Sequence, residues 1–238
     1  MDMDELTVVV TGGTRGIGRA VADAFADIGA TVVVGARDGH DVSETVNALE
    51  TRLEGTDGTA AGVRTDVRDE FDLERLVETA SRAGDGSGID VVVAAAGVYH
   101  GEPGATPTDD DTYAAFDDHW RINGRGVFAT IREALPHLND SARVLVPTGS
   151  IAREAKPGYG SYAISKATAE AVARGFAADT EYTIGCLDPG QIATGLSGET
   201  GRDAESIAGM FVWAATEAVP ETLDGAVVGL REWKQATR

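Results

Sequence analysis

Val10-Thr11-Gly12-Gly13-Thr14-Arg15-Gly16-Ile17-Gly18 joins a β-branched run at 6–10 to an amphipathic segment at 17–28. Glycine allows positive φ and close backbone approach, and a helix N-terminus leaves N–H groups free for a pyrophosphate. The spacing is G-x-x-x-G-x-G rather than the common dinucleotide G-x-G-x-x-G. Its place at a strand end and helix start, in the first strand–helix–strand unit, reads as a dinucleotide-binding turn.

The alternation continues outward from that turn. Strands are expected at 31–34, 60–65, 91–96, 143–147, 183–187 and 226–229. Helices are expected at 42–53, 73–83, 113–138, 159–180 and 204–216, with a turn cluster at 84–88. The 42–53 segment carries Val42, Val46, Leu49 and Leu53 at helical spacing. Alternating strands and helices imply parallel strands joined by right-handed crossovers, a doubly wound α/β sheet. The continuous apolar run Val91-Val92-Val93-Ala94 fits a sheet covered on both faces. The 238 residues, 42% hydrophobic and 25% charged, suit one globular domain over 1–238.

The second strand ends Val34-Gly35-Ala36-Arg37. An NAD site favours a carboxylate there for the ribose hydroxyls. Alanine followed by arginine suits instead the 2′-phosphate of NADP(H), which a guanidinium pairs bidentately. Arg15 can close on the same phosphate from the glycine turn.

Charge excludes several partners. Lys+Arg 20 against Asp+Glu 39 leaves a net charge of −19. Such a surface disfavours nucleic acid and anionic membranes. Lysine is confined to Lys156, Lys166 and Lys234, and aspartate outnumbers glutamate. This composition resembles cytosolic proteins of extreme halophiles, where molar salt screens repulsion to ~3 Å. No apolar run reaches the ~18–20 residues of a membrane span. The start Met1-Asp2-Met3-Asp4-Glu5 lacks the basic residues of a signal peptide, and Cys186 alone forms no internal bridge. A cytoplasmic location is expected.

Further along stand Ser150 and then Tyr162-Ala163-Ile164-Ser165-Lys166, with Asn123-x-x-Gly126-x-Phe128 before them. Taken in order with the glycine turn, these motifs resemble the short-chain dehydrogenase/reductase family over almost the whole chain. The resemblance implies a seven-stranded parallel sheet of order 3-2-1-4-5-6-7, helices on both faces and a site at the carboxyl ends of the strands. It implies an Asn123–Ser150–Tyr162–Lys166 catalytic tetrad. It also implies cofactor contacts from Gly12, Thr14, Arg15, Gly16, Ile17, Gly18 and Arg37. Asp66 and Val67 would border the adenine. Ala96 and Gly97 match the end of the family's N-N-A-G signature. Pro189, Gly190, Ile192 and Thr194 match its P-G-x-I-x-T beside the nicotinamide, and Tyr162 and Lys166 would meet the cofactor as well. Asn123 would kink its helix and hold a water linking Lys166 to solvent. Homodimers or tetramers are the family's usual assemblies.

The residue types suit hydride transfer to a carbonyl, or the reverse. The alkoxide formed needs a proton, which a tyrosine hydroxyl can give. Lys166, four residues after Tyr162 on one helix face, is expected to lower the phenol's pKa. Ser150 can donate to the oxygen where charge develops. The competing class is a non-catalytic NADP(H)-sensing or interaction protein on the same fold; a nucleotide-sugar epimerase is disfavoured by the short C-terminal part.

Two departures from the family stand out. Its N-N-A-G is here Ala94-Ala95-Ala96-Gly97, and the segment 195–201 replaces a longer substrate lid. Among weaker candidates, Tyr99, His100, Arg153 and Tyr159 are placed to line a substrate pocket. His40, His100, His119 and His137 show no ligand spacing, so no metal is expected. Trp120, Trp213 and Trp233 read as packing residues, Cys186 as a buried inert thiol, and 108–111 as a solvated helix start.

Overall fold

The computed structural model describes residues 6–84, 88–196 and 200–238. Strand β1 (Thr7–Thr11) is buried along its whole length. It pairs in parallel with β2 (Thr31–Ala36) on one side and β4 (Ile89–Ala94) on the other. Adding β3 (Ala60–Arg64), β5 (Leu138–Pro147), β6 (Thr183–Asp188) and β7 (Val227–Gly229) gives a seven-stranded sheet of order β3-β2-β1-β4-β5-β6-β7. Every pairing is parallel, as the strand–helix alternation implies.

Successive strand residues point to opposite faces, so each β-branched run feeds two cores. Val8, Val10, Val32, Val34, Val91 and Val93 pack with Phe25 of helix α1 (Gly16–Asp27), Leu49 of α2 (Gly39–Arg52) and Phe211 of α7 (Glu205–Thr216). Val9, Val33, Val92 and Val144 pack on the other face. Their partners there are Leu76 of α3 (Glu70–Ser81), Ile131 of α5 (Arg125–Ala134) and Ala173 of α6 (Gly160–Asp179). Each fully buried aliphatic side chain contributes roughly 1.5–3 kcal/mol. Strand order reverses between β1 and β4, which opens a crevice at their carboxyl ends.

The expected helix at 113–138 is several elements. Helix α4 (Tyr113–His119) runs into a π-helical turn, Trp120–Gly124, before α5 begins. Periodicity cannot show one extra residue in a turn, and such π turns gather at functional sites. A 3₁₀ turn at Leu135–His137 follows, and β5 starts at Leu138, five residues before the expected 143. That early part is irregular: Ile89 pairs with Leu138, then the register shifts so that Val91 meets Arg143. Two C-terminal helices, α8 (Pro220–Leu223) and α9 (Leu230–Ala236), were not expected, being too short for a periodic signal. For α9 the cue is Glu232 at its third position, whose carboxylate accepts from the N-cap Gly229 N–H at 3.1 Å, the one half of a capping box that a glycine allows. Trp120 is half-exposed rather than packed. Of the 84–88 turn cluster, 85–87 lie outside the described residues.

No helix among the described residues is long and apolar enough to cross a membrane. The net charge of −19 is spread over 10975 Å² of accessible surface. Mutual repulsion destabilises the compact state and salt screens it. The melting temperature should therefore rise steeply between tens of millimolar and molar KCl. A melting temperature independent of KCl over that range would contradict halophilic adaptation.

Candidate active site

The glycine turn forms one wall of a groove of about 490 Å³ at the carboxyl ends of β1, β2 and β4. Gly12 adopts φ +69°, and a Cβ there would stand 2.7 Å from the Ala96 Cα. The turn thus lies directly against the chain just after β4, an approach that a side chain at position 12 would prevent. Gly12, Thr14, Arg15, Gly16, Ile17 and Gly18 line the groove, with Arg37, Asp66, Val67, Ala96, Gly97 and Thr194 around it. Tyr99 and His100, expected near a substrate, also face it. Tyr162, Lys166, Pro189, Gly190 and Ile192 do not line it. Ile192 is buried and bridges in parallel to Arg202. Within the short segment after Thr194, 197–199 lie outside the described residues.

Arg15 and Arg37 are both exposed at the groove, and neither forms a salt bridge among the described residues, although Asp66 feels the charge of Arg37 at longer range. Asp38 follows Arg37, yet its carboxylate is occupied as the N-cap of α2, accepting from the His40 N–H at 2.8 Å. Those backbone N–H groups hold it below the usual carboxylate range. Asp66 is held low as well, chiefly by Arg68, whose guanidinium lies 2.6 Å away.

The four residues of the expected tetrad come from three elements, with Tyr162 and Lys166 sharing α6. Asn123 sits in the π turn, where it is buried. Its Oδ1 accepts from the Val98 N–H at 2.8 Å, and its Nδ2 donates to the Val98 carbonyl and to Ser165 Oγ, both at 2.9 Å. This amide therefore pins the end of β4 to α6, between Tyr162 and Lys166. Ser150 opens a 3₁₀ turn after β5, and its Oγ accepts from Lys156 Nζ at 2.7 Å. Lys156 also pairs with Glu154 at 3.1 Å. Lys166 Nζ donates to the Pro147 carbonyl at 2.6 Å, and burial pushes its pKa down.

Tyr162 departs from expectation. Burial, reinforced by the neighbouring phenols of Tyr99 and Tyr159, pushes its pKa up to about 12. The ammonium of Lys166 is directed to Pro147 and does not offset that. Tyr99 stacks on the Tyr162 ring with centroids 4.5 Å apart.

Arg153, expected to line a substrate pocket, turns inward. Its guanidinium bonds Glu170, which is 2% exposed, and Asp188 at 2.5 Å. Thr148 Oγ1 donates to the same Glu170 carboxylate at 2.6 Å. The Ser150 loop is thereby tied to α6 and β6. Cys186 is buried, with its thiol pushed up to about 12, as an inert residue would be.

Two readings of isolated residues change. His100 and His119 are 5.1 Å apart, and His119 is fully buried against Tyr99 and Tyr162. Asp111, read as part of a solvated helix start, accepts from both the Ser161 N–H and Ser161 Oγ. These contacts join positions 42 and 50 residues apart, which no local pattern displays.

The short chain dehydrogenase family model matches residues 6–205, and the chain belongs to the short-chain dehydrogenase/reductase family of oxidoreductases. An Arabidopsis thaliana NADPH-dependent aldehyde reductase-like chloroplastic protein is 32% identical over 213 residues, 84% of this chain and 78% of that one. NADPH-dependent aldehyde reductase 2 of the same plant is 32% identical over 208 residues, 80% and 75% of the two chains. A blue fluorescent protein from a metagenomic library, solved with NADPH, superposes with a TM-score of 0.83 at 25% identity, covering 97% of this chain and 98% of that one.

Proposed function

We propose that this chain is an NADP(H)-dependent oxidoreductase that reduces a carbonyl to an alcohol, or runs the reverse, with Tyr162 as the acid/base. The observation that carries the reading is Arg37 just after β2, exposed in the groove beside the glycine turn and without a salt bridge among the described residues. The NADPH-dependent aldehyde reductases among its relatives support it. The glycine turn that lines the groove at the N-terminus of α1 fits a pyrophosphate, and Arg15 and Arg37 fit a 2′-phosphate. When bound, the nicotinamide supplies the hydride.

The chain's own residues then handle the oxygen. Lys156 is donor only, so the Ser150 hydroxyl accepts from it and turns its own hydrogen to the Glu154 carboxylate, from which a bound substrate oxygen would take it over. Tyr162 is protonated at neutral pH and gives that oxygen its proton. Asn123 and Arg153 hold the elements that carry these two groups. Homo-oligomerisation belongs to the same reading, with Phe116, Trp120 and Phe128 of α4, the π turn and α5 exposed to be covered. So does a cytosolic location.

Cofactor choice tests the groove. A charge-assisted hydrogen bond is worth ~1.5–3 kcal/mol, so one arginine should shift affinity by about 10–150-fold. NADPH should bind at least about tenfold tighter than NADH, in molar KCl included, and Arg37→Ala should lose most of that preference with NADH affinity unchanged. Equal binding of both cofactors by the unaltered protein, measured by fluorescence titration, would overturn the phosphate assignment.

A further inference from the structure

The Tyr162 hydroxyl has no hydrogen-bond partner among the described residues, so its ring is aimed by packing alone. Tyr99 covers one face. His119 meets the ring edge-on, with centroids 5.9 Å apart and planes 63° apart.

His119 is itself held at both nitrogens. Its Nε2 lies 2.8 Å from the His100 backbone N–H, which can only donate. Nε2 therefore accepts, and the imidazole proton sits on Nδ1. Nδ1 donates to Ser161 Oγ at 2.7 Å, and Ser161 Oγ donates onward to Asp111 Oδ2 at 2.5 Å. The Ser161 N–H reaches the same Asp111 oxygen at 2.7 Å, satisfying a free donor in the first turn of α6. Burial and the facing His100 keep the imidazole below its ordinary pKa, against the opposing pull of Asp111 and Asp118. A neutral ring with one donor and one acceptor is what the two bonds require.

Ser161 immediately precedes Tyr162. The chain His100–His119–Ser161–Asp111 thus ties the loop after β4, helix α4 and the start of α6 into one unit beneath the phenol. We infer that His119 is a positioning residue for Tyr162, acting through Ser161 and Asp111. The inference rests on Tyr162 being the acid/base, since aim matters only for a group that transfers a proton. Misplacement of a reacting group by about 1 Å can cost ~10²-fold in rate.

The test uses NADPH oxidation with an aromatic aldehyde that the unaltered protein reduces, alongside NADPH titration by fluorescence. His119→Phe keeps a ring of similar shape and removes both hydrogen bonds. Ser161→Ala removes the relay hydroxyl alone. Each should lower kcat by about 10–100-fold with the NADPH dissociation constant unchanged. His119→Gln, whose amide can both donate and accept, should recover at least fivefold over His119→Phe. Activities of His119→Phe and Ser161→Ala within twofold of the unaltered protein would overturn the inference, and so would a His119→Gln no better than His119→Phe. If His119→Phe does not fold, Ser161→Ala decides by the same threshold. Tyr162→Phe in the same assay separates the two levels. An active Tyr162→Phe removes the acid–base reading and the positioning role with it. An inactive one beside fully active His119→Phe and Ser161→Ala removes only the positioning role.

Discussion

Tyr162→Phe should lose about 10²–10⁴-fold in turnover while binding NADPH as the unaltered protein does, because general acid catalysis is worth that much. The substitution removes one oxygen and leaves the ring stacked on Tyr99, so the surroundings need not move. A variant keeping more than about a tenth of the rate would count against the role. The raised pKa fixes the pH dependence as well. The phenol stays protonated until the pH nears about 12, so reduction should not fall through Tyr162 ionisation between pH 7 and 9. The reverse reaction needs the phenolate and should rise with pH over the same range. A reduction rate titrating away near pH 8 would show that cofactor or substrate binding brings the phenol far below its value in the free protein.

The second large effect is on stability. Gly12→Ala places a Cβ 2.7 Å from the Ala96 Cα and 2.9 Å from its nitrogen, at a φ of +69°. Strain at such a φ costs about 1–3 kcal/mol, and overpacking against backbone about as much again. The sum, roughly 2–6 kcal/mol, lowers the melting temperature of a chain this size by roughly 5–20 °C. Gly39→Ala is the control: no atom lies within 4 Å of a Cβ there and its φ is not positive. It should change the melting temperature little. Equal effects of the two substitutions would mean that the turn does not lie against the chain just after β4 as described.

The strands and the glycine turn were legible because their signals are local. Val8-Val9-Val10 and Val91-Val92-Val93 announce a strand buried on both faces, and the glycines fall where that strand must turn into a helix. Parallel order followed from the helices between them. The break at Trp120–Gly124 was not legible as a π turn, since one extra residue per turn leaves the apolar pattern of 113–138 nearly intact. Nor was the lining of the site. Lys156 reaches Ser150 through a loop without periodicity, and His119 meets Ser161 only once α4 packs on α6. The pKa of Tyr162 failed for a related reason. Helical spacing put Lys166 near the phenol, but the direction of its ammonium was set by the Pro147 carbonyl on β5.

Deuterium transfer tests the central claim most directly. The protein, in molar KCl, would be given NADPH deuterated at both C4 positions and a panel of aliphatic and aromatic aldehydes and ketones, and the products weighed by mass spectrometry. The account predicts an alcohol carrying one carbon-bound deuterium, formed in step with NADPH consumed, and none from Tyr162→Phe above about a hundredth of that rate. Tight NADPH binding with no labelled alcohol from any member of the panel, or equal labelling by Tyr162→Phe, would contradict it.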